Sequence, residues 1–77
     1  MLTGNKLLET AGEALYGPRW QSELARALDV SDRTVRRWVS GVDKVPPGVF
    51  VDLLRLTQER ALTLDALADD LKRAAAP

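Results

Sequence analysis

The sequence has no cysteine and no histidine among its 77 residues. No disulfide can staple the chain, and no Cys/His cluster can hold zinc. The usual nucleophile–base pairs are missing, and no acid pair clusters as in a hydrolytic site. An enzyme is therefore not expected, and no cofactor is called for. No apolar run approaches the roughly 20 residues that span a bilayer. Met1 to Lys6 lacks the apolar stretch of a signal peptide, so a cytoplasmic chain with no membrane partner is the expectation. No charge of one sign dominates either, since 11 cations face 11 anions.

What is present is a soluble, globular mix, 45% apolar and 29% charged, on a chain long enough for one domain over 1–77. The charge is unevenly placed. Arg19, Arg26, Arg33, Arg36, Arg37 and Lys44 lie between residues 17 and 44, where four acids leave an excess of two positive charges. Residues 1–16 and 45–77 each carry one net negative charge. A middle segment of this kind can meet nucleic acid although the whole chain is neutral.

Glycine and proline divide the chain at Gly17-Pro18, Gly41 and Pro46-Pro47-Gly48. Leu7, Leu8, Ala11 and Leu15 give residues 3–16 one apolar face, with Gly12 weakening that helix relative to alanine. A second helix over 18–28 turns Trp20, Leu24, Ala27 and Leu28 inward. Ser31 can cap a third helix that runs to about Ser40. Pro47 opens a fourth helix over 47–60, and Thr63 can cap a fifth over 63–75. No segment alternates with period two, so the expected fold class is all-α, a compact five-helix domain.

The specific signal is residues 21–40, QSELARALDVSDRTVRRWVS. Leu24 and Leu28 face inward, Ala25 permits a close helix crossing, and Val30 plugs the turn. Val35 and Trp38, three apart, bury the inner face of the second helix of the pair. The outward face is left with Ser31, Asp32, Arg33, Arg36, Arg37 and Ser40. A helix this basic suits the major groove, which admits one α-helix.

The segment resembles the helix-turn-helix of the Cro/C1-type phage repressor family, and the flanking helices extend the likeness to that family's five-helix plan. It departs at Asp29, where the family usually has a left-handed glycine. Aspartate tolerates that conformation better than most residues. In size the chain is similar to the small autorepressors of phage and mobile elements, including anti-CRISPR-associated regulators.

The resemblance implies base contacts from Ser31, Asp32, Arg33, Arg36 and Arg37. It implies DNA-backbone contacts from Arg19, Trp20, Gln21, Ser40 and Lys44. Asp32 could instead serve the helix N-terminus or pair with Arg36, and Trp20 could belong to the core. Phe50, Leu53, Leu56, Leu64, Leu67 and Leu71 either close the core or form a homodimer seam, and a dimer on a palindromic duplex operator is the expectation. The expected function is a sequence-specific transcriptional regulator, a repressor acting by promoter occlusion, with no small-molecule effector. The alternatives are a helical protein-interaction module without DNA binding, and an architectural or excision factor.

Overall fold

The computed structural model describes residues 3–77; Met1 and Leu2, part of the segment read for a signal peptide, lie outside that range. Helix α1 spans Gly4–Tyr16, α2 Trp20–Leu28, α3 Asp32–Val39 and α4 Pro47–Ala75. Gly17–Arg19 forms one 3-10 turn between α1 and α2. The chain is all-α, with no strand among the described residues.

Two expectations change. The second helix starts at Trp20 rather than Pro18, because Gly17-Pro18-Arg19 takes the tighter turn. The expected fourth and fifth helices are one 29-residue helix. No glycine or proline interrupts residues 49–75, and the Thr63 hydroxyl donates to Glu59 O at 3.1 Å instead of capping a new helix. Among the described residues the fold therefore has four α-helices, not the expected five.

One hydrophobic cluster holds α1, α2, α3 and the first turns of α4 together. Leu8, Leu24 and Val35 are fully enclosed, and Leu15, Trp20, Ala25, Trp38, Val45, Val49 and Leu53 complete the cluster. Leu8, Gly12 and Leu15 share one face of α1. Trp20 lies flat on Gly12, where a Cβ would come within 2.1 Å of its ring. Leu7, expected inside, is 41% exposed, and Ala27 also faces solvent.

The turn between α2 and α3 keeps the expected shape. Asp29 adopts φ 56°, ψ 46°, the left-handed conformation that ends α2. The Asp29 N–H donates to Arg26 O, and the Val30 N–H to Ala25 O at 2.9 Å. Val30 packs against the core from this turn. Asp29→Gly is expected to remove the left-handed strain and stabilise the fold by about 0.5–1 kcal/mol, read as a rise in Tm of roughly 3–6 °C.

Helix α4 is about 43 Å long at the usual rise per residue, and it sets the longest dimension of the molecule, 54 Å against 24 and 18 Å. Its last tie to the core is Arg60. The Arg60 Nη1 donates to Leu15 O at 2.8 Å, and its guanidinium lies 5.8 Å from the centre of the Tyr16 ring. Past that point every residue is exposed. The five leucines and one phenylalanine assigned to core or dimer seam therefore divide. Leu53 is core, Phe50 and Leu56 pack partly against it, and Leu64, Leu67 and Leu71 are each at least 50% exposed. Among the described residues no helix is long and apolar enough to cross a membrane.

Candidate nucleic-acid interface

Ser31 starts α3 in an extended conformation, and its Oγ accepts from the Thr34 N–H at 3.1 Å. This bond satisfies one of the donors that a helix start leaves open. The Ser31 and Thr34 hydroxyls also share a 2.9 Å hydrogen bond. Val35 and Trp38 then anchor one side of α3 in the core. Because successive residues turn by about 100°, Arg33, Arg36, Arg37 and Ser40 fall on the opposite side, with Arg33 at its centre.

The side chains on this surface differ in how they are held. Among the described residues Arg33 and Arg36 make no ion pair, and both are exposed. Asp32 accepts from the Ser22 hydroxyl at 3.1 Å, which ties the start of α3 to α2. Its partner is thus Ser22 and not Arg36. Arg37 is clamped by Asp43: Nε donates to Oδ2 at 2.6 Å and Nη2 to Oδ1 at 3.2 Å.

The clamp has a backbone cause. Gly41, at φ 80°, turns the chain back over the last turn of α3. The Asp43 N–H and the Ser40 hydroxyl both donate to Arg37 O, each at 3.2 Å. Hydrogen bonding from Arg37, more than its charge, draws the Asp43 carboxyl below its ordinary pKa, and Asp43 raises the guanidinium in turn. Whatever stability this gives is present above the ordinary carboxylate pKa and is lost as pH falls through the lowered value. The pair is exposed to solvent, so its contribution is small and local order is its main effect.

The flanks of α3 carry the remaining candidates. Arg19 and Gln21 line a shallow hollow with Ser22 and Arg26 beside the start of α2. Ser22 joins this side to α3 through Asp32. Ser40 ends α3, and Lys44 lines a second hollow with Asn5, Gly41 and Asp43. Trp20 does not belong to the surface: it is 4% exposed and sits in the core. Asp43 is the residue that sequence reasoning missed. It lies six positions past Arg37, a spacing that no helix brings together. The signal was Gly41, whose left-handed turn folds the next residues back onto α3.

The arrangement is two short helices crossing at Ala25, with a capped second helix presenting one braced arginine and two that are unpaired among the described residues. Polar groups at both ends could hold a phosphate backbone while the middle reads base edges. Residues 10–73 match the family described as bacterial toxin YdaS, whose members are small, phage-like helix-turn-helix proteins. No curated protein and no solved structure matches significantly.

Proposed function

The chain belongs to the bacterial toxin YdaS family, and from that premise we propose that it is a sequence-specific DNA-binding regulator. The observation that carries this reading is the outward face of α3. Arg33 and Arg36 are exposed there without an anionic partner among the described residues. A protein-docking surface would more often present aromatic or aliphatic anchors. Arginine pairs with guanine O6 and N7 through two parallel donors. The mechanism is occlusion: the protein covers a promoter and excludes polymerase, and occupancy follows its concentration. The description of the family as a toxin fits this, since an excess of such a regulator would occupy promoters beyond its own. Selection from random duplex DNA at near-physiological salt tests the reading, because phosphate contacts alone lose sequence preference and weaken with salt. Enrichment of one motif supports it. Failure to enrich any motif, with the protein folded, moves the assignment to a protein-interaction module.

A second copy of the chain is the proposed occupant of the bare end of α4. Leu53 and Arg60 mark the side of the helix that packs on the domain, and Leu64, Leu67 and Leu71 continue that side at helical spacing. Ala61, Ala68 and Ala75 flank it at seven-residue intervals, and every charged residue after Arg60 falls elsewhere. The stripe runs into an apolar trough between α1 and α4 lined by Leu7, Ala11, Ala14 and Ala61. A lone helix of about 15 residues is marginal in water. Lacking excess charge of either sign, the stripe complements itself, and two-fold pairing supplies the second recognition helix that one short α3 needs for selectivity. Sedimentation is expected to show a dimer at micromolar concentration and a folded monomer for Leu67→Glu. A monomeric wild-type protein, or a dimeric variant, contradicts the pairing.

A further inference from the structure

The Arg37–Asp43 pair looks at first like a loss to the interface, because it occupies one of three arginines on the reading face. The geometry of guanidinium says otherwise. Arginine has five N–H donors in a planar fork. Asp43 uses the Nε–H and one N–H of Nη2, which form one edge of the fork. The other edge, with both Nη1 donors and the second Nη2 donor, has no partner among the described residues. That edge again offers two parallel N–H groups at the spacing of guanine O6 and N7.

We propose that Asp43 is a specificity-determining positioning residue, which holds Arg37 so that its Nη1/Nη2 edge faces a guanine in the major groove. The inference rests on the DNA-binding reading above and identifies the base at one position. One further contact and one backbone conformation fix the brace. The Asp43 N–H donates to Arg37 O, so backbone and side chain of Asp43 grip the same residue. Gly41 supplies the positive φ that brings Asp43 there. A free arginine must be ordered when it meets a base, whereas a braced one is already ordered and is penalised at a wrong base. A carboxylate beside the groove repels phosphate, so its presence favours selectivity over affinity. Among the described residues Arg33 and Arg36 have no such brace, which leaves them able to shift between base and phosphate.

The test is selection from random duplexes with wild type, Asp43→Ala, Arg37→Ala and the double variant, after circular dichroism shows all four folded. The wild-type motif is expected to hold one guanine per half-site whose preference falls about tenfold in Asp43→Ala. Arg37→Ala is expected to relax the same position, the double variant no further, and the other positions to keep their preferences in Asp43→Ala. The inference is overturned if Asp43→Ala keeps the wild-type preference. It is also overturned if the variant binds all sequences more tightly to the same degree, which would make the pair a mask, or if every position weakens together, which would make Asp43 structural. Failure of the wild-type protein to select any motif would instead remove the DNA-binding reading, and this inference with it.

Discussion

Gly12→Ala is expected to destabilise the protein by about 3 kcal/mol, with a fall in Tm of more than roughly 10 °C. Helix propensity alone gives the opposite sign, since alanine is better than glycine in a helix interior by about 1 kcal/mol. Packing decides against it. A Cβ at Gly12 would lie 2.1 Å from Trp20 Cε3 and 2.5 Å from Trp20 Cδ2. Those atoms belong to a rigid ring that is 4% exposed, so no flexible end can swing away. Either α1 moves off α2 or the indole leaves its pocket, and both open the core beside Leu8 and Leu24. Thermal unfolding followed by circular dichroism measures the effect. A variant at least as stable as the wild type would mean that Trp20 does not pack on α1 as described.

Arg33→Ala is expected to leave the fold intact and to weaken binding to the selected duplex by about a hundredfold. Arg33 lies at the centre of the outward face of α3, is exposed, and has no ion-pair partner among the described residues. Its removal therefore costs no internal contact. A bidentate arginine–guanine contact contributes roughly 1–3 kcal/mol of discrimination, and a two-fold complex loses it twice. A lost phosphate contact would look different, because affinity would drop evenly across sequences and the salt dependence would become shallower. Titration of the selected and a scrambled duplex separates the two. Near wild-type affinity for the selected duplex would place the reading surface elsewhere.

The helix pair was legible because its constraints are local. Alternation of core and solvent residues along α3, the Ser31 cap and the short turn at Asp29-Val30 each follow from neighbours within a few positions. Asp29 in the left-handed conformation and Ala25 at the helix crossing could be read for the same reason. What could not be read depends on contacts between distant segments. Gly12 looked like a weak point in α1 until Trp20 was placed against it. Trp20 carries a polar N–H and could have faced DNA, and its burial was decided by the space Gly12 leaves. Thr63 is the exception: it has the chemistry of a helix cap, yet its hydroxyl bonds back to Glu59 within a continuous helix, and the lack of glycine or proline over residues 49–75 was the local signal against a new start there. The site itself was read as a row of arginines, and the distinction between free Arg33 and braced Arg37 needed the return of the chain at Gly41.

If α3 is the surface that meets duplex DNA, the backbone amide NMR signals that shift when the selected duplex is added to labelled protein will show it. The largest shifts are expected from Ser31 to Lys44 and around Arg19 and Gln21, with α4 beyond Arg60 unchanged by DNA. Shifts confined to the Leu64–Leu71 stripe, or an α3 that does not respond while the duplex is bound, would contradict it.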